Sequence, residues 1–272
     1  MPLPETLTLM RHGESEGNVA IRASRSGDDK YFTDEYRSRH SATLRLTDNG
    51  KDEARKAGVW IANSKFTFTR FYTSSHLRAV ETAAHLGIVK AKWQIDLRLR
   101  EHDFGDWDMN SYSNRLEDPR FLERGLRRLV EGPYWRPPNG DSIADDAARE
   151  TSSILTDWSD LPGGTSLLAV THDGKMKSFH LLLNRDGLHV LPGVKSDIGP
   201  FRTNCHMVQY SRRNLVTGFL SPIYVRYRSI PFPYEKNLDP PWTYLNSCYL
   251  SNEELLNYVE KFPRIITGGG DK

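Results

Sequence analysis

Apolar positions come in short β-prone runs separated by stretches of helical period. Thr6-Leu7-Thr8-Leu9-Met10 reads as a strand, ended where Arg11-His12-Gly13 brings charge and glycine. Thr47-Asp48-Asn49-Gly50 opens a helix with Ala54, Ala57, Gly58 and Ile61 on one face. Phe66–Thr73 alternates bulky and small residues as a second strand would. It runs through Ser74-Ser75-His76-Leu77-Arg78 into a helix ending near Leu86. Trp93–Leu99 is predicted as a third strand. Ser166–Thr171 is apolar almost throughout, as in a strand covered on both faces. His172-Asp173-Gly174 follows, then a helix from Lys175 to Leu183.

Three stretches depart from this alternation. Residues 22–46 are polar, with Arg22, Arg25, Lys30, Arg37, Arg39 and Arg45 against Asp28, Asp29, Asp34 and Glu35. They read as a long surface excursion with nothing to suggest a tight cover. Residues 105–146 form an insertion. Asp118-Pro119 starts a helix there, Phe121, Leu122, Leu126, Leu129 and Val130 recur at helical spacing, and Pro133, Pro137, Pro138, Asn139 and Gly140 end the pattern. Ser142–Asp145 then resembles a capping box. Beyond Arg202, Cys205–Tyr210 and Leu215–Leu220 look like a hairpin. Pro231, Pro233, Pro240 and Pro241 follow, and Ser251–Glu254 caps a last helix. Gly268–Gly270 is expected to fray.

Strand and helix in alternation define an α/β fold: a mostly parallel central sheet flanked by helices, with the helical insertion over the C-terminal edge of the sheet. Residues 1–220 form one domain, and 221–272 an extension packed on it. A segment of that size with four prolines in the eleven positions 231–241 cannot bury its own core. Yet Trp242, Tyr244, Tyr249, Leu250, Leu255, Leu256, Tyr258 and Phe262 are too apolar to stay in water.

Composition narrows the choices. A chain of 272 residues, 38% hydrophobic and 26% charged, buries a core without staples. Lys plus Arg is 37 against 35 Asp plus Glu, so the overall field makes no case for nucleic acid. No apolar run is long enough to span a membrane. Cys205 and Cys248 make neither a disulfide framework nor a metal-ligand pattern. Met1–Thr6 has no signal-peptide character, so a cytoplasmic protein is expected.

Arg11-His12, the Ser74–Arg78 segment, Glu101 and His172 all follow strands. In such sheets the strand ends meet at one edge, where ligands sit. Five blocks in order carry a resemblance: Leu9-Met10-Arg11-His12-Gly13-Glu14-Ser15-Glu16-Gly17-Asn18; Tyr72-Thr73-Ser74-Ser75-His76-Leu77-Arg78-Ala79 with Thr82-Ala83; Leu99-Arg100-Glu101-His102-Asp103-Phe104-Gly105-Asp106-Trp107; Asn139-Gly140-Asp141-Ser142; and Val170-Thr171-His172. The chain resembles the histidine phosphatase superfamily, the phosphoglycerate-mutase-like proteins, over residues 6–220. This implies phosphoryl transfer without metal or cofactor on a small phosphorylated substrate, with no nucleic acid or membrane partner.

The residue types suit that chemistry. A guanidinium fork matches phosphate oxygens, so Arg11 and Arg78 would hold the group, Arg78 from the first turn of a helix. His12 would attack phosphorus and carry it as phosphohistidine. His172 would be a second positive or hydrogen-bonding group, and Glu101 would protonate the leaving oxygen and then activate water. Ser15 and Asn18 would add neutral hydrogen bonds. His76, His102, His180, His189 and His206 read as structural. Asp173 stands where the family usually has a small residue, so it is expected to point away or to meet a substrate hydroxyl. Asp108-Met109 after Trp107 also departs from the usual Glu-Gly.

Two choices stay open at this level. One is an enzyme against a non-catalytic phosphate-binding module docking through the Pro-rich 231–241 stretch and the last helix. The other is hydrolase against mutase. Glu16-Gly17, where mutases usually carry Trp before the Asn, favours the hydrolase. Five Arg and two Glu within Arg120–Arg136 hint at an anionic substrate, or form a solvated helix face.

Overall fold

The structure, a computed structural model, describes residues 2–184, 203–234, 239–245, 249–262 and 264. The expectations at His189, Cys248 and Gly268–Gly270 lie outside them. The first half of the chain forms β1 (Thr6–Arg11), α1 (Glu16–Arg25), α2 (Asp34–Ser38), α3 (Asp48–Asn63), β2 (Arg70–Ser74), α4 (Leu77–His85) and β3 (Trp93–Asp96). The insertion carries α5 (Tyr112–Glu117) and α6 (Pro119–Glu131). Then come α7 (Ile143–Asp146), a π-turn, α8 (Ser152–Ser159), β4 (Ser166–Thr171) and α9 (Asp173–Asn184). The last part holds β5 (Met207–Ser211), β6 (Arg226–Ile230), β7 (Thr243–Tyr244) and α10 (Asn252–Val259).

The strands lie in the order β3-β2-β4-β1-β5-β6-β7. β3, β2, β4 and β1 are parallel, joined in register from Thr6↔Ser166 to Arg11↔Thr171 at the centre. β5, β6 and β7 add in antiparallel fashion, so the sheet is mixed and its parallel half carries the reactive edge. Side chains alternate across it. Leu7, Leu9, Leu167 and Ala169 face Trp158 of α8 and Met176, Phe179 and Leu183 of α9. Met10, Leu168 and Val170 face Ala54, Ala57 and Ile61 of α3 and Ala79 and Ala83 of α4. Burial on both faces accounts for the unbroken apolar run at Ser166–Thr171.

Local signals set most boundaries. The Thr47 hydroxyl accepts from Gly50 N–H at the start of α3. Asp118 caps α6 with Pro119 at its first position, and Ser142 and Ser251 form the expected capping boxes. β3 stops at Asp96, short of Leu99. The Asp96 carboxylate accepts from Arg98 N–H and turns the chain into a 3-10 turn at Leu97–Leu99.

The expected hairpin is not the one formed. Leu215–Leu220 makes only an isolated bridge, Arg213↔Leu220, and β5 pairs with β6. The bulky residues of 215–220 stay exposed, whereas Tyr224 and Ile230 enter the two cores. Strands β6 and β7 therefore belong to the same sheet as β1. Helix α10 differs from expectation: it has no buried residue, and Leu255 and Leu256 are exposed.

Residues 22–46 are more than a surface excursion. Phe32, Leu44 and Leu46 are buried, and Leu46 N–H donates to Glu81 of α4. Tyr112 N–H of the insertion donates to Ser24 Oγ at 2.6 Å, clipping the two covering segments together. The insertion is closed at its base by Asp106 N–H to Pro138 O and Asp141 N–H to Asp103 O, both 3.0 Å. At that base Gly105 has a φ of 54°, and a Cβ there would fall 2.1 Å from Pro138 O. Among the described residues no helix is long and apolar enough to cross a membrane.

Candidate active site

Four parallel-strand ends meet at one edge. β1 delivers Arg11 and His12, and β2 delivers Ser74, with His76 and Arg78 at the start of α4. The turn after β3 delivers Glu101, and β4 delivers His172. The rings of His12 and His172 lie 5.1 Å apart, and those of His76 and His172 4.8 Å apart.

His12 is buried, and both ring nitrogens are engaged. Nδ1 lies 2.7 Å from Gly13 O, which can only accept, so Nδ1 carries the proton. Nε2 is then a lone pair, and it accepts from Arg78 Nε at 3.2 Å. Burial, with the charges of Arg78 and Arg11, pushes the His12 pKa well below its ordinary value. At neutral pH the ring is uncharged, the state a nucleophile needs.

Arg78 is held at both ends of its fork. Nε faces His12, and Nη1 donates to Ser41 O at 2.8 Å, so the 22–46 segment helps to aim the guanidinium. Ser74 Oγ accepts from His76 N–H at 3.2 Å and stands 2.8 Å from His172 Nε2. A hydroxyl oxygen accepts up to two hydrogen bonds while donating one, so the Ser74–His172 bond runs in either direction according to the His172 tautomer. His172 Nδ1 is buried with no protein partner among the described residues, which leaves one ring nitrogen for an incoming group. Burial and then Arg78 push the His172 pKa well below normal. The ring is therefore a neutral hydrogen-bonding group rather than a second positive charge.

Glu101 sits against the first turn of α9. Burial by itself would raise its pKa. The hydrogen bond from His102, together with Arg78 and His12, outweighs burial and holds it at about 2. A Cβ at Gly174 would fall 2.3 Å from Glu101 Oε1 and 2.1 Å from His102 Nδ1, so glycine is what lets this pair reach the helix.

The remaining sequence candidates separate. Ser15 and Asn18 form a reciprocal capping box on α1: Asn18 N–H donates to Ser15 Oγ, and Ser15 N–H and Oγ–H donate to Asn18 Oδ1. The Ser15 hydroxyl thus serves the helix, and of the pair only the Asn18 amino group remains for a ligand. Asp173 pairs with Lys177 at 2.5 Å through Oδ2, while its Oδ1 is buried and has no hydrogen-bond partner among the described residues. His180 and His206 are buried on Tyr210 and Ser229. His76 and His102, read from sequence as structural, belong to the site's surroundings: one packs on His172 and the other bonds Glu101.

Sequence reading assigned no site role to Tyr36 or Arg115, and marked Ser74 and Asp108 only as part of a polar strand end and as a departure from the family pattern. Ser74 could have been found as the last residue of β2. Tyr36 is pushed up to about 12 by burial, then by Asp108 and Glu16, and Asp108 also acts on Arg78 and Arg115. These come from distant segments with no local signal. Among the described residues no three His, Cys, Asp or Glu side chains are grouped as metal ligands.

A mixed α/β sheet with two arginines, two neutral imidazoles and a carboxylate at one edge defines a phosphate-handling protein. The chain belongs to the histidine phosphatase superfamily (branch 1), whose model matches residues 7–189. It is 29% identical over 179 residues to a 2,3-bisphosphoglycerate-dependent phosphoglycerate mutase of Rhizobium etli, spanning 64% of this chain and 77% of the relative. Among solved structures it resembles the mycobacterial glucosyl-3-phosphoglycerate phosphatase, with a TM-score of 0.58 and 20% identity over 85% of this chain and 99% of that one. It also resembles the alpha-ribazole phosphatase of Shigella flexneri, with a TM-score of 0.53 and 19% identity over 79% and 93%.

Proposed function

We propose that this protein is a metal-independent phosphatase that hydrolyses a small phosphomonoester through a phosphohistidine on His12. The substrate phosphate lies on Arg11, Arg78 and the His172 ring, which gives Nδ1–H to a phosphate oxygen in the tautomer whose Nε2 accepts the Ser74 hydroxyl. His12 Nε2 attacks phosphorus, a P–N bond forms, and the P–O bond to the leaving group breaks as Glu101 gives that oxygen a proton. Water then attacks the phosphohistidine with Glu101 taking its proton, and inorganic phosphate and neutral His12 are regenerated. Arg78 leaves His12 Nε2 for the phosphate oxygens as the group enters, which frees the lone pair. The observation that carries phosphoryl transfer is the His12 ring itself, with Nδ1 fixed on Gly13 O and Nε2 facing Arg78.

The same cations that hold Glu101 low become engaged with the phosphate dianion. Its negative charge offsets theirs, so a bound substrate raises the affinity of Glu101 for the proton it must deliver.

Hydrolysis, rather than transfer between two positions of one substrate, is favoured by what surrounds the phosphate site. Asp173 Oδ1 is a buried acceptor with no partner among the described residues, and Asp108 lies near enough to act on Arg78. Both suit a hydroxylated, uncharged leaving group, whereas a mutase must grip the carboxylate of its substrate with cations. Relatives by sequence are named as mutases, and structural neighbours as phosphatases. One observation favours the mutase reading: the 22–46 segment covers the site more closely than its composition suggests. The deciding experiment supplies 3-phosphoglycerate with catalytic 2,3-bisphosphoglycerate, and in parallel a panel of polyol and sugar phosphates. Free phosphate from the panel with little isomerisation is expected. Efficient isomerisation with little phosphate release overturns the assignment.

A further inference from the structure

Glu101 presents its two oxygens unequally. Oε1 lies 3.1 Å from His102 Nδ1 and accepts from His102 N–H at 3.2 Å. Gly174 of α9 closes on the same oxygen. Among the described residues Oε2 accepts no hydrogen bond. The His102 ring is itself pinned, packed at a tilt of 49° with its centroid 4.3 Å from that of Phe104, and only 10% exposed. One residue therefore grips one carboxylate oxygen with both its ring and its backbone.

We propose that His102 is the positioning residue of the proton donor: it fixes Glu101 by Oε1 so that Oε2 faces the leaving-group oxygen. A carboxylate on a Glu side chain has three rotatable bonds, and a proton donor misaimed by an ångström loses most of its effect. The backbone N–H alone would leave the carboxylate free to swing about a single contact. The ring N–H makes the grip two-point. The inference rests on the reading of Glu101 as general acid, and it adds why this particular histidine follows it.

The test compares Glu101→Gln, His102→Leu, His102→Asn and the Glu101→Gln/His102→Leu double variant. Each is assayed on an alkyl phosphate and on 4-nitrophenyl phosphate, with thermal melting to confirm the fold. A nitrophenolate leaves without a proton, and an alkoxide does not. His102→Leu should lose about tenfold or more in kcat on the alkyl ester and far less on the nitrophenyl ester. His102→Asn, whose amide N–H can reach Oε1, should recover most of that loss. The double variant should be no slower on the alkyl ester than Glu101→Gln, because His102 acts only through Glu101. Equal losses on both esters, no recovery in His102→Asn, or an additive double variant would each overturn the positioning role while leaving Glu101 as acid. Equal losses on both esters for Glu101→Gln itself would instead remove the acid role, and the inference with it.

Discussion

At the scale of single residues the site is a set of protonation states fixed by neighbours. His12 is neutral because it is buried beside two arginines, and its tautomer is fixed by a carbonyl one residue away. Mixing enzyme with labelled substrate and quenching in alkali should trap phosphate on the wild type and none on His12→Ala. That variant should retain its fold and lose about a thousandfold or more in rate. Full activity in His12→Ala would rule out the covalent route. The Glu101 carboxyl, held at about 2, is ionised in the free enzyme at neutral pH. The proton for the leaving group then arrives with the substrate, since a phosphate monoanion with ionised Glu101 equals a dianion with protonated Glu101. It follows that kcat/KM for an alkyl phosphate falls as pH rises through the second phosphate ionisation, at about 6. A profile level from about pH 5.5 to 8 would place the proton elsewhere.

At the scale of elements, a charge chain, buried at its Lys175–Asp146 end, ties the acid-bearing loop to two helices. Arg100, next to Glu101, pairs with Glu150 at 2.6 Å. Glu150 pairs with Lys175 of α9 at 3.1 Å, and Lys175 reaches Asp146 of α7. Lys175 is fully buried and Asp146 nearly so. Burying such charges is costly, and each is offset here by the opposite charge it touches. Lys175→Met removes one partner and leaves carboxylates uncompensated in the interior. It is expected to cost about 3–5 kcal/mol, read as a drop in the urea midpoint. Adding Asp146→Asn should restore part of the loss, because the stranded charge goes with it. A single variant as stable as wild type would mean that the chain carries little of the fold. Helix α9 thus has two duties: its first turn seats Glu101 and His102 at Gly174, and its next residue holds the network that supports them.

At the scale of the whole molecule, burying five imidazoles makes stability depend on pH. His12, His76, His172, His180 and His206 all have pKa values lowered chiefly by burial, those of His76, His180 and His206 to about 4. A lowered folded-state value means that the unfolded chain binds protons first as pH falls through about 6.5, so stability is full above that pH and is lost below it. Each of the three held at about 4 weakens the fold by roughly 3 kcal/mol by the time pH has fallen from 6.5 to 4. Urea midpoints at about pH 7.5, 6 and 5 should therefore decline well above the carboxylate range. Midpoints unchanged down to pH 5 would show that these rings take up protons without loss of structure.

The sequence by itself determined the elements whose signals are local. Apolar period separates β1 and β4 from α3 and α4, and caps at Thr47, Asp118, Ser142 and Ser251 place helix starts, because a hydroxyl or carboxylate satisfies N–H groups only a few residues away. It also put Arg11, His12, Arg78, Glu101 and His172 at strand ends, since parallel strands bring their C-terminal ends to one edge. What only the tertiary structure decided depends on contacts between distant segments. Pairing of β5 with β6 rather than with 215–220 follows from which apolar residues the sheet faces can bury. Ser41 O on Arg78 turns an apparently polar excursion into part of the site. His102 looks like any surface histidine until Gly174, seventy-two residues on, closes against it and leaves Glu101 one oxygen to use.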